Sequence, residues 1–294
     1  MQRRTLLNFL PTVLATATAL VYVTASGYTA SPGSGPVLAA AAKFAAPKPG
    51  TVSSAVGSVV TRPITRYITR SAAPAAPAAR ESELEERTHQ ALDVLTSQVT
   101  PVSHPSALQD AFESYFAFKA VHPEKVRKPY LYFVDYGLSS ATPRGYVFDM
   151  DALKIVDGPF MVAHGRGSAA NHDGVPTRFS NAFGAATTSL GLYVAQEIYS
   201  FTGHTGGRLY NSVGLRLAGV SRGFNDNARA RGVVAHGAPY VTSTRAGRSE
   251  GCPAMEPSRA QRLLPKLANG GLVFLFAPNR DWMTRDPWLP AQAD

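Results

Sequence analysis

Residues 31–80 are rich in Ala, Pro, Ser, Gly and Thr, as in the closing stretch Ala72-Ala73-Pro74-Ala75-Ala76-Pro77-Ala78-Ala79. Such a segment has too few large apolar side chains to offset the entropy of ordering its backbone, so it cannot build a core. Folding is therefore expected only from about residue 81 onward, with 31–80 as a linker whose Pro-Ala repeats keep it extended and semi-rigid. The charge divides at the same place. Of the 29 Lys and Arg, eight fall in residues 1–80, where there is no Asp or Glu; 21 basic residues then face all 20 acidic ones in 81–294. The net charge of +9 thus belongs to the tail, which argues against a basic nucleic-acid-reading domain and leaves no nucleic-acid partner expected. The positive charges of the linker suit contact with a membrane or anionic wall surface, or serve only solubility and spacing.

Residues 1–30 read as an export segment. Gln2-Arg3-Arg4 gives a basic start, Leu6 to Val23 is mostly apolar, and small residues follow at Ala25, Ser26, Gly27 and Ala30. The apolar run is long enough to remain as a membrane anchor, whereas Asn8 and Pro11 favour a cleaved signal peptide. Either form puts the expected location outside the cytoplasm, in the periplasm or cell envelope.

Two helices are expected in 81–124. Ser82-Glu83-Leu84-Glu85 is a capping box, with Leu84, Thr88, Ala91, Leu92, Leu95 and Val99 at helical spacing, predicting a helix over 82–99. Pro105-Ser106 repeats a start signal before the stripe Leu108, Ala111, Phe112, Tyr115 and Phe116, which ends ahead of His122-Pro123. From Pro129 the texture changes to short runs of Tyr, Val, Phe and Ile cut by Gly, Asp and Asn. These runs predict strands at 130–136, 146–149, 160–163, 191–198, 213–217, 233–236 and 272–277. Only 257–268 looks helical in this part, with Pro257 at its first turn and Gly270-Gly271 past its end. The fold class expected is mainly β over 125–285, with a short N-terminal helical segment.

The chain has one cysteine, so no disulfide can form within it and a zinc site of paired cysteines is excluded. Cys252 lies in Arg248-Ser249-Glu250-Gly251-Cys252-Pro253, a polar, glycine-containing turn without apolar periodicity. That is a poor place for a core thiol and a good one for an exposed nucleophile. Upstream, the run Gly232-Val233-Val234-Ala235 ends in His236-Gly237, which sets an imidazole at the mouth of a strand where it can face the returning loop. An imidazole within reach of a thiol can take its proton, and the backbone amides of Gly251 and Cys252 are natural donors to an oxyanion. On this reading the thiolate titrates below its ordinary range.

His236-Gly237 followed after eleven residues by Ser249-Glu250-Gly251-Cys252 resembles the signature of the YkuD-type murein L,D-transpeptidase catalytic domain family. Val134-Asp135-Tyr136, Ala163-His164-Gly165-Arg166-Gly167-Ser168, Phe179-Ser180-Asn181, Ser189-Leu190-Gly191, Asn225-Asp226-Asn227-Ala228-Arg229 and Gly251-Cys252-Pro253-Ala254 are similar to further stretches of that family, in the expected order. The resemblance covers about 130–280. It implies a β-rich transpeptidase fold, Cys252 as nucleophile, His236 as base oriented by the Gly237 carbonyl, an oxyanion site that includes the Gly251 amide, and a peptidoglycan stem peptide as substrate. Transfer of the acyl group to an amine would cross-link, and transfer to water would make the chain a hydrolase of the carboxypeptidase kind. Pro253-Ala254 departs from the pattern, since better-known members carry an arginine there. Arg248, Arg231 and Arg216 are the candidates to replace it, and Ser249, Arg248, His164 and Arg231 are the expected substrate contacts.

His164, His172 and His204 lie in glycine-rich loops, without the i, i+4 spacing of a helical metal site, so neither metal nor another cofactor is expected. Two other functions stay open at this point. A sortase-like protein transpeptidase also uses His and Cys, although the spacing and the missing Thr-x-Thr-Cys string speak against it. A non-catalytic wall-binding module would not need the thiol.

Overall fold

The computed structural model describes residues 77–290. The export segment and the linker up to residue 76 lie outside the described residues. In chain order the elements are α1 (Pro77–Leu95), a 3-10 turn (Thr96–Gln98), α2 (Ala107–Val121), β1 (Tyr130–Asp135), β2 (Gly145–Asp149), β3 (Lys154–Phe160), β4 (His164–Gly165), β5 (Gly191–Thr205) and β6 (Arg208–Gly219). They continue with β7 (Val234–Gly237), β8 (Arg248–Ser249), β9 (Ala254–Met255), α3 (Pro257–Leu267), β10 (Leu272–Phe276) and α4 (Arg280–Arg285).

Eight strands form one sheet in the order β3-β2-β1-β10-β5-β6-β7-β9, and β4 pairs with β8 in a separate two-stranded piece. The sheet is mixed: β1 runs parallel to β10 and β7 parallel to β9, while the other neighbours are antiparallel. The mainly β class with helices at the N-terminal end is thus the observed one. The helices share a core with the sheet. Ala91 and Leu95 of α1 and Phe112, Tyr115, Phe116 and Phe118 of α2 are buried with β1, β2 and β10, and the Phe112 ring meets Phe148 edge-on at 5.3 Å. α3 buries Ala260, Leu263, Leu264 and Leu267 against β6 and β7.

Several boundaries differ from the sequence expectation for identifiable reasons. α1 already includes Pro77, so Ser82 lies inside the helix instead of capping it; Ala78 and Ala79 are strong helix formers and carry the helix further toward the N-terminus. β3 starts at Lys154, and its Lys154, Asp157 and Gly158-Pro159 masked it. They are tolerated because β3 is an edge strand of the sheet, where a ladder donor can be spared. β5 and β6 form one long hairpin through Thr205 and Arg208, turning on Gly206 and Gly207 at φ +54° and +76°, where only two short runs were expected. α4 is an additional helix, capped by the Asn279 side chain accepting from the Trp282 N–H at 3.0 Å.

Candidate active site

The site is assembled where β7 and β9 lie side by side. His236 is in register with Ala254 and Gly237 with Met255, so Cys252 enters β9 two residues ahead of the partner of His236. The His236 N–H donates to the Pro253 carbonyl at 3.4 Å, which holds the two strand ends together. The turn before Cys252 is gripped from the other side by the β4 segment. Ala163 N–H donates to Ala254 O at 2.8 Å and Arg166 N–H to Ser249 O at 2.7 Å.

Inside the turn, Ser249 Oγ donates to the Cys252 carbonyl at 2.7 Å and accepts from the Gly251 N–H at 3.1 Å. Gly251 has φ +128°, and a Cβ there would stand 2.7 Å from the Thr187 carbonyl oxygen, so the position requires glycine on both counts. Two expectations change here. The Gly251 amide is already used by Ser249 and is not free for an oxyanion, whereas the Cys252 N–H has no partner among the described residues. Ser249, 6% exposed, closes the turn from within and is not among the residues that line the cleft at Cys252.

Cys252 is half-buried and opens on a cleft of about 240 Å³ lined by Ala185, Ala186, Arg231, Gly232 and Glu250. Burial pushes its thiol up; a hydrogen bond from the Val234 backbone and the charge of Arg231 pull it back, and Glu250 adds to the rise. His236 is buried, with Nδ1 3.1 Å from the Gly237 carbonyl and its ring stacked on Phe201 at 4.4 Å. A carbonyl only accepts, so Nδ1 carries the proton and Nε2 keeps its lone pair. Burial pushes this imidazole down to about 4, against the upward pull of the Gly237 carbonyl. Both groups are therefore driven toward their uncharged forms, and the expectation of a thiol titrating below its ordinary range is overturned: desolvation outweighs the favourable neighbours.

His164 is not part of the cleft wall, because it has no exposed surface. Its Nδ1 lies 2.8 Å from Arg144 Nη2; arginine is always a donor, so Nδ1 accepts and Nε2 carries the proton, with no partner among the described residues. Burial first, then Arg144 and Arg248, push His164 down to about 3. Arg231 donates to four acceptors, the carbonyls of Ser180, Ala185 and Thr187 and the Ser189 hydroxyl, at 2.8 to 3.3 Å. It ties the 180–189 loop over the site, and its proximity to Cys252 makes it a cleft residue as expected from sequence only in position. Arg248 Nη1 donates to the carbonyls of Arg166 and Ala169 at 3.3 and 3.4 Å.

Sequence reading missed Arg144. This fully buried guanidinium donates to Leu138 O, Val162 O and His164 and lies 4.8 Å from the Tyr136 ring centre. Its signal was a lone arginine entering the apolar strand Gly145-Tyr146-Val147-Phe148. Phe201 was missed because the middle of the β5–β6 hairpin was not read as strand. Among the described residues no three His, Cys, Asp or Glu side chains gather as a metal site would need.

A family model of the L,D-transpeptidase catalytic domain matches residues 100–276, more than half of the chain. The fold and the order of motifs along it thus define the class of protein. This chain belongs to the L,D-transpeptidase catalytic domain family. Its structure is similar to an L,D-transpeptidase from Mycobacterium smegmatis at 13% identity and TM-score 0.29, over 51% of this chain and 59% of that one. It is also similar to an L,D-transpeptidase from Xylanimonas cellulosilytica at 13% identity and TM-score 0.30, over 51% and 61%. A third similar structure is an L,D-transpeptidase from Mycobacterium tuberculosis, at 14% identity and TM-score 0.29, over 50% and 57%. The chain thus covers about three fifths of the length of these structures. None of the curated proteins matches it.

Proposed function

We propose that the chain is a peptidoglycan L,D-transpeptidase that passes a stem-peptide acyl group through a thioester at Cys252. One observation supports the reading: β7 pairs with β9 so that His236 is in register with Ala254, two residues after the half-buried Cys252, which opens on a cleft.

The chemistry starts from an uncharged pair. His236 Nε2 takes the Cys252 proton as Sγ bonds to the carbonyl carbon of the third stem residue. The oxyanion that forms is held by the Cys252 N–H, which has no acceptor among the described residues. The C–N bond to the terminal residue then breaks, and the imidazolium returns its proton to the departing amine. In the second half an acceptor amine attacks the thioester carbon and gives its proton to His236, which passes it to the departing Sγ as the C–S bond breaks and the new amide forms. Water in place of the amine yields the free acid. A neutral resting pair has a chemical consequence. The thiol becomes a nucleophile only as its proton moves, so the chain is protected from indiscriminate alkylation and reacts when a substrate excludes water and aligns with His236.

On this reading the chain works in the cell envelope after export, with the basic linker between an anchor or signal and the wall. Among the described residues no helix is long and apolar enough to cross a membrane. The test is product analysis of the full chain, kept reduced, with a disaccharide tetrapeptide. Loss of the terminal residue and new cross-linked dimers, absent in Cys252→Ala, are expected; unchanged tetrapeptide with the intact chain overturns the reading.

A further inference from the structure

Resting on the transpeptidase reading, we infer that Arg216 binds a free carboxylate of the donor stem peptide, on the sheet face that it shares with His236.

The arginines of this part of the chain divide by how their donors are spent. Arg231 and Arg248 donate to backbone carbonyls of the loops around the site. Arg166 is held by both carboxylate oxygens of Glu250, and Arg229 by Gln196 and both oxygens of Glu197. Arg216 differs. Its Nε is 3.3 Å from Glu197 Oε1, and its two terminal nitrogens donate to no acceptor among the described residues. Glu197 is already forked by Arg229, so the three side chains carry one net positive charge, and the unused pair of donors is on Arg216.

Its place in the sheet puts it on the same face as His236, with its guanidinium over β5. Arg216 is in register with Val234, and Gly214 with His236. Leu215 and Ala235, between them, are buried in the main core, so Arg216 shares the opposite, site-side face with His236. On that face Tyr199 fills the space over Gly214, where a Cβ would be 2.7 Å from its ring, and the Arg216 guanidinium stacks on Tyr199 at 4.2 Å. Phe201, next on the same face, stacks on His236. The row Arg216, Tyr199, Phe201 and His236 is therefore continuous. Two residues along a strand span about 7 Å, the separation of a scissile carbonyl from a carboxylate one or two residues away on an extended peptide. The guanidinium is also held flat by the tyrosine, which suits bidentate binding.

The carboxylate is either the C-terminal one or one on the third residue's side chain, and the test separates them. In a Cys252→Ala background, where no turnover occurs, binding of a free-acid tetrapeptide is titrated calorimetrically beside its C-terminal amide and its side-chain amide. Arg216→Gln should weaken the free acid by about ten- to a hundredfold, as for a lost charge-assisted pair, with Arg216→Lys between. Amidation of one carboxylate should cost the same factor with Arg216 present and nothing further in Arg216→Gln; the amide that does so identifies the group. Equal binding of the free acid by both proteins, an equal amidation cost in both, or no saturable binding overturns the inference. Binding through Arg216 without turnover by the intact chain would instead overturn the transpeptidase reading and leave this one standing.

Discussion

Gly251→Ala tests whether the turn that presents Cys252 is held as rigidly as its contacts imply. The backbone at φ +128° is one that side-chain-bearing residues rarely adopt, at a cost of about 1–3 kcal/mol. The new methyl would also stand 2.7 Å from the Thr187 carbonyl oxygen. That oxygen cannot easily withdraw, because Arg231 Nη2 donates to it at 3.1 Å and Arg231 is fixed by three further acceptors. Overlap of this kind adds about 1–3 kcal/mol. A combined loss near 3 kcal/mol corresponds to a fall of roughly 6–12 °C in Tm for a domain of this size. Relief by moving the turn displaces Cys252 from His236, and a shift of the order of 1 Å costs about 10²-fold in rate. The matched control is Gly184→Ala, where φ is +73° but nothing lies within 4 Å of the added methyl, so only about 1–2 kcal/mol is at stake. Calorimetric melting and turnover of the tetrapeptide are measured for both. A Gly251→Ala protein as stable and active as the parent, or a Gly184→Ala protein equally damaged, refutes the reasoning.

Other consequences follow from the same geometry. His236→Ala should lower acylation by about 10²-fold or more, the range for a lost general base, read by the rate of thioester formation. Because burial pushes His236 down to about 4, kcat/KM should hold from neutral pH to about 5 and fall only below it; an acid limb centred at the ordinary histidine value of 6.5 contradicts this. The thiol, pushed up by burial, should react with iodoacetamide at pH 7.5 more slowly than free cysteine, and a faster reaction would show the ion pair to be preformed. Ser249→Ala removes both bonds that close the turn and should cost about 1–3 kcal/mol in chemical denaturation, with a larger loss in kcat than in substrate binding. His164, near 3 when folded and 6.5 when unfolded, contributes stability that is complete above pH 6.5 and lost as pH falls toward 3. Going from pH 7 to 5 should therefore cost the parent about 2 kcal/mol more than His164→Asn, and equal pH dependence would count against the burial of a neutral imidazole.

What sequence alone made legible was whatever depends on local pattern. The apolar runs at 130–136, 191–198 and 272–277 became β1, the start of β5 and β10 because buried strands need continuous large side chains. Cys252 and His236 stood out because one lies in a glycine turn and the other at a strand mouth, and both features survive in the fold. The failures came where the third dimension sets the roles. Nothing local says that the Ser249 hydroxyl would consume the Gly251 amide, or that His164 would be sealed under the site with Arg144 as its partner. The sign of the thiol shift was misjudged for the same reason, since nearby charges can be guessed from sequence but desolvation depends on what packs above the turn. The long hairpin was missed although Gly206-Gly207 marked its turn, because its polar middle hides the alternation of Tyr199, Phe201 and Tyr210.

The central claim is that Cys252 carries the acyl group, and intact-protein mass spectrometry after rapid acid quench tests it most directly. With the full chain and a tetrapeptide stem, a species heavier by the tripeptide acyl group should accumulate before any acceptor is added. Peptide mapping should place the added mass on Cys252, and His236→Ala should form it about 10²-fold more slowly. Release of the terminal residue with no such species on Cys252, or an adduct that persists in Cys252→Ala, would contradict the account.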